Sequence, residues 1–206
     1  MIKEILEYFY FLSGPVIALL AFKGLHQIIV SKEIAKTNAK RDAFKLTAEQ
    51  CKYYGENIIP LVNELDKSIA THNAQLFTKS KYIIENNNIK VIPNSDYPEF
   101  DETIQNLVVE LSNVYNALNS FSLFFVSGVA DENLAYMTLG KTYCNTVERL
   151  LPFLVNASTY SGEDNILSLF LIWHHRKNKE KAIKEKQALE KQIKETSDIR
   201  IKPIGT

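Results

Sequence analysis

The chain has 206 residues, 46% of them apolar and 23% charged, which is room for one domain of ordinary size around one buried core. Basic and acidic side chains number 24 each, so a uniformly basic nucleic-acid binder is excluded. Two cysteines are too few for a disulfide framework or a cysteine-built zinc site, and seven glycines and six prolines argue against an all-β fold.

Residues 8 to 22 carry no charge, and after Lys23 the apolar character resumes through Val30. Fifteen uncharged residues give roughly 22 Å of helix, short of a hydrocarbon core of about 30 Å. Starting at Ile5 and letting Lys23 snorkel to a headgroup extends the span to about 26 residues, which is enough. Tyr8, Phe9 and Tyr10 then form an interfacial aromatic belt, and the anchor is read on Tyr8, Phe11, Gly14, Pro15, Leu19 and Phe22. The alternatives are a buried core helix and a cleaved signal; the acidic Glu4 and Glu7 and the late Lys23 disfavour the signal. Lys23, Lys32, Lys36, Lys40, Arg41 and Lys45 follow the span, against Lys3 before it. The bulk of the chain is therefore expected in the cytoplasm, behind a bacterial inner-membrane anchor with its N-terminus outside. Cys51 and Cys144 suit that reducing compartment, and the sequon at Asn156 then has no glycosylation meaning. Gly14-Pro15 predicts a kink, with a hinge or a close helix contact at Ser13, Gly14 and Ala18 as the sharper alternative.

Ala35, Ala39, Ala43 and Phe44 form a thin stripe on a stalk helix, which thickens through Ala48, Cys51, Tyr54, Ile58, Leu61, Val62, Leu65 and Ile69. Pro60 should kink that helix or divide it. Between residues 73 and 100, Asn86-Asn87-Asn88 signals a turn and residues 93 to 98 a loop, with a short helix over Phe77 to Glu85 and a brief strand over Ile89 to Ile92. From Asp101 the spacing of Ile104, Leu107, Val108, Leu111, Val114, Tyr115, Leu118, Phe121 and Phe125 predicts a helix ended by Gly128. Asp131 caps the next, whose face runs Tyr136, Gly140, Tyr143, Val147, Leu150, Leu151 and Leu154 with Pro152 near its end. A last helix starts near Asp164, packs Ile166 to Trp173 and turns almost wholly charged to Glu195.

These elements predict an all-α fold: an anchor over 1–30, a stalk and antiparallel helical bundle over 31–160, and a long charged C-terminal helix with a basic tail over 161–206. Residues 46 to 173 hold 7 basic and 15 acidic side chains, residues 23 to 45 hold 6 and 2, and residues 174 to 206 hold 10 and 5. An acidic body thus lies between a basic stalk, as anionic lipid favours, and a basic tail. Glu180 with Lys184 and Glu190 with Lys194 make the tail read as a solvated helix. A weak coiled coil through Ala182, Leu189 and Ile193, or contact with lipid, nucleic acid or an acidic partner, are the alternatives.

Gly140-Lys141-Thr142 invites a phosphate-loop reading, but Ala135 stands where that motif needs its first glycine, and the surrounding stripe is helical. Gly140 is read instead as allowing close helix packing. His174 and His175 point about 100° apart on a helix and cannot serve one metal as i,i+4 histidines do. With Trp173 and Arg176 they read as the border between buried and solvated parts. Asp131-Glu132 and Glu163-Asp164 complement helix dipoles. No catalytic, cofactor-binding or metal-ligating constellation stands out, so an enzyme is not expected.

The segments Phe44 to Tyr54, Ile58 to Leu61 and Leu118 to Glu132 resemble uncharacterised bacterial proteins with one N-terminal anchor and a helical cytoplasmic domain, over residues 5 to 155. The resemblance implies architecture and no activity; by analogy, small anchored helical proteins of this kind occur among phage-defence and stress genes. The expected function is a membrane-anchored sensing or scaffolding module, a homo-oligomer or protein partner acting through lipid contact and the stalk from Ser31 to Leu65. A membrane-perturbing effector is the alternative, and a nucleotide or lipid-headgroup hydrolase the third reading.

Overall fold

The computed structural model describes residues 2–85, 87–92, 104–161 and 164–197. The protein is mostly helical with one small two-stranded sheet, and it divides into two compact units, Met1–Lys45 and Leu46–Thr206.

The first unit belongs to helix α1 (Ile2–Tyr53), whose helical assignment runs unbroken through Pro15. The Ser13 hydroxyl donates to the Tyr10 carbonyl at 2.7 Å, one turn back. From Ser13 to Asp42 every side chain is exposed, apolar and charged alike.

The second unit holds the core. Proline has no N–H to give the carbonyl four residues back, and the chain answers Pro60 with a π-helical turn over Tyr54–Ile58, in which the Ile59 N–H bonds the Tyr54 carbonyl. Helix α2 (Ile59–Thr71) follows, so the long helix is divided where the proline predicts. Val62, Leu65 and Ile69 keep the buried stripe going across the break. Asn73, at φ 48°, turns the chain into the single turn α3 (Leu76–Lys79).

Here the expected short helix over Phe77 to Glu85 gives way to a strand. Helix α3 stops at Lys79, and β1 (Lys81–Glu85) pairs antiparallel with β2 (Asn88–Ile92), Tyr82 opposite Val91 and Ile84 opposite Ile89. The reason is the period. Tyr82, Ile84, Ile89 and Val91 are half-buried while their neighbours are exposed, an alternation that β-branched residues fit and a helix cannot give. Asn87, at φ 63°, supplies the left-handed turn residue that the asparagine run announces. The strand over Ile89 to Ile92 is as expected; the loop over residues 93 to 98 lies outside the described residues.

Helix α4 (Val108–Val126) buries Leu111, Val114, Leu118, Phe121 and Phe125 on the anticipated face, but Val108 is exposed. Gly128 follows its end at φ 72°, a conformation that costs glycine little. Helix α5 (Glu132–Ser161) begins after Asp131, whose Oδ1 accepts the Leu134 N–H at 2.9 Å, and it continues through Pro152 past its expected end. Helix α6 (Asn165–Ser197) packs along α4 and α5 through Ile166, Leu169, Phe170 and Trp173, and from Asn178 to Glu195 every side chain is exposed.

Candidate functional site

Two features compete for a function: the exposed apolar length of α1 and a set of polar clamps in the body. Helix α1 is long and apolar enough to cross a membrane, with none of its apolar window buried. Leu19 is 66% and Phe22 72% exposed, and Val16, Ile17, Leu20, Leu25, Ile28 and Ile29 are exposed around all sides of the helix. A helix apolar all round meets either a protein core or lipid. Of the anchor residues read from the sequence, Gly14, Pro15, Leu19 and Phe22 are exposed, and nothing stands within 4 Å of Gly14. Tyr8 and Phe11 lie in α1, with their side chains outside the described set. Lys23, Lys32, Lys36, Lys40 and Arg41 are all exposed, and the Lys40 ammonium sits 5.7 Å from the Phe44 ring centroid.

In the body, one carboxylate grips two partners. Glu132, at the start of α5, accepts the Trp173 indole N–H on Oε1 and holds Arg176 at 2.9 Å on Oε2, joining α5 to α6. The sequence offers Glu132 only as a dipole partner; its cross-helix role depends on residues 41 and 44 positions away. Arg176 also lies 4.6 Å from the Tyr136 ring centroid. A Cβ on Gly140 would fall 2.4 Å from that ring, so the space Gly140 leaves is taken by Tyr136 of its own helix rather than by a neighbouring one. The Gly140-Lys141-Thr142 triplet is mid-helix, with no loop for a phosphate.

Glu148 takes Lys177 at 2.8 Å, joining α5 to α6 beside the hairpin residue Tyr82. Burial first, then the Glu148 charge, push Tyr82 up to about 12. His174 lies edge-on to Tyr82 at 6.3 Å, and His175 Nε2 is 3.1 Å from Asn87 Oδ1, so the two histidines serve the hairpin separately. Arg149 holds Asp66 at 2.8 Å and ties α5 to α2, at the rim of a cavity of about 260 Å³ also lined by Ile69, Ala74 and Phe77. Deeper in, Ser122 Oγ is 2.7 Å from both the Leu118 carbonyl and the Tyr143 hydroxyl, which is 3.0 Å from the Ile166 carbonyl. These hydroxyls satisfy polar groups in an otherwise apolar core. Burial raises the Cys144 thiol to about 12, leaving it no thiolate to act with.

Asp164 caps α6: its Oδ1 accepts the Ile166 and Leu167 N–H groups at 2.8 and 3.3 Å, while buried Oδ2 has no hydrogen-bond partner. Burial raises its pKa above the usual 3.8, against the two N–H bonds, which lower it. The folded chain therefore keeps the proton more readily than the unfolded one, and stability falls as pH rises from the usual carboxylate value through the raised one, then levels. Asp164→Asn keeps a capping oxygen and removes the charge. It should be the more stable chain at neutral pH, with the gap closing as pH falls to about 4; urea midpoints of both chains across that range check it, and a gap independent of pH would refute it.

Comparison with protein-family models, curated proteins and solved structures finds no match to this chain.

Proposed function

We propose that the chain is a single-pass, membrane-anchored helical module whose helical-bundle body faces the cytoplasm and works by association rather than by catalysis. The observation that carries this reading is the contrast in burial. The body closes its own core around Trp173, Tyr143 and Phe121, whereas the apolar residues from Val16 to Val30 are exposed on every side of α1. Leaving that surface in water is unfavourable by about 25 cal/mol for each Å², and a bilayer removes it. Exposed Lys23, Lys32, Lys36, Lys40 and Arg41 after the span support a cytoplasmic body, because cytoplasmic flanks retain Lys and Arg. The polar clamps at Glu132, Glu148 and Arg149 spend their charges on joining helices to one another, a structural use that favours a sensing or scaffolding role. A place in a defence or stress system rests on the architectural resemblance alone.

The test is fractionation of the full chain with a C-terminal reporter that distinguishes cytoplasm from export, beside a chain beginning at Lys32. Resistance of the full chain to carbonate, a cytoplasmic reporter and a soluble helical truncation are expected. A full chain released by carbonate would make residues 5 to 30 a protein-covered helix and remove the proposal.

A further inference from the structure

We propose that the cavity walled by α2, the turn into α3 and Arg149 of α5 binds a free aliphatic α-amino acid of about the size of leucine, as its zwitterion. The inference rests on the sensing reading above and supplies what is sensed. The cavity measures about 260 Å³, just below the range of about 300 to 1,000 Å³ in which pockets hold drug-sized ligands. Its lining divides by chemistry. Ile69, Ala74 and Phe77 are buried and apolar, whereas the Asp66 and Arg149 side chains at the rim are 37% and 35% exposed. A small metabolite with an apolar body and a charged head fits that division.

The head follows from the ion pair. A guanidinium carries several N–H donors in a planar fork, and Arg149 gives one of them to Asp66, from Nη1 to Oδ2 at 2.8 Å. Its Nε is buried with no hydrogen-bond partner among the described residues, and a buried donor left unpaired is costly. Nε shares one edge of the guanidinium with Nη2, and a carboxylate takes such an edge through two parallel bonds. A plain carboxylate anion would bring its charge up against Asp66, which repels it. The two rim charges sum to zero, so the complementary head carries one charge of each sign, a carboxylate for Arg149 and an ammonium for Asp66. An α-amino acid holds those groups on adjacent bonds of one carbon, which suits partners already in contact. Its side chain is then left for Ile69, Ala74 and Phe77, and an aliphatic one buries no polar group without a partner. A pair this exposed adds little as a clamp, and it leaves most of the arginine's donors for a ligand.

The experiment is equilibrium dialysis of the full chain in detergent micelles against radiolabelled L-leucine, with unlabelled competitors. Saturable binding with Kd at or below about 1 mM is expected. Isocaproate, which lacks the ammonium, isopentylamine, which lacks the carboxylate, and glycine, which lacks the side chain, should each compete about tenfold or more weakly than leucine. Arg149→Lys keeps a charge for Asp66 without the forked edge, and should weaken binding by about tenfold. Ala70→Leu, at an exposed position that lines the cavity, should abolish binding with far-ultraviolet ellipticity unchanged. Absence of saturable binding to a chain of wild-type ellipticity refutes the site, as does leucine held equally well by Ala70→Leu or matched by isocaproate. Any of those results with a carbonate-resistant chain leaves the anchored module standing. A chain released by carbonate that still binds leucine removes the anchor and keeps the site.

Discussion

Trp173→Ala should cost the body about 3 to 5 kcal/mol, the range for truncating a large buried aromatic side chain. Trp173 is fully buried at the centre of a ring cluster, with centroids 4.9 Å from Tyr143, 5.9 Å from Tyr136, 6.1 Å from Phe125 and 6.4 Å from Phe121. Removing the indole opens a cavity between α4, α5 and α6 and leaves half of the Glu132 grip unmade. Trp173→Phe separates the two losses: it keeps most of the ring contacts and forfeits the N–H to Glu132, for about 1 to 3 kcal/mol. Urea unfolding of the full chain in micelles, followed by far-ultraviolet ellipticity, reads both variants. An alanine variant within about 0.5 kcal/mol of wild type, the range of an exposed surface site, would remove Trp173 from the core.

Periodicity and punctuation carried most of the helical architecture. The three- and four-residue steps of Leu111, Val114, Leu118, Phe121 and Phe125 mark a buried face, and Asp131, Gly128 and Pro60 each mark a boundary that the helices respect. The hairpin was half legible. Its asparagine turn is plain, but Lys81 to Glu85 is too short for period two to be told from period 3.6, and a helix was the wrong choice. Polar contacts were illegible for a different reason. Glu132 with Trp173 and Asp66 with Arg149 are set by how helices approach, which spacing along one helix does not encode. In the solvated tail, close pairs run from Lys181 to Glu185, Lys186 to Glu190 and Lys191 to Glu195. Alternatives among such exposed pairs differ by tenths of a kcal/mol, so sequence does not choose between them. The apolar span needs no tertiary information at all, which is why the strongest functional signal was also the most legible.

Leu19→Arg should act on the other unit and leave the body alone. Leu19 is 66% exposed, near the middle of the apolar stretch of α1. Exchanging leucine for arginine at a span's centre shifts insertion by about 3 to 4 kcal/mol. At 1.4 kcal/mol per tenfold, the inserted-to-excluded ratio falls by roughly two orders of magnitude. Carbonate extraction should move the chain from pellet to supernatant or aggregate, while protection of α4, α5 and α6 from hydrogen exchange stays at the wild-type level. Trp173→Ala should give the reverse, a chain retained in the pellet with its body amides unprotected. That opposition follows from where the apolar surface goes: α4 to α6 bury theirs against one another, and α1 exposes its own. If Leu19→Arg also stripped protection from α4 to α6, the span would be part of the folded core, and the membrane reading would fall with it.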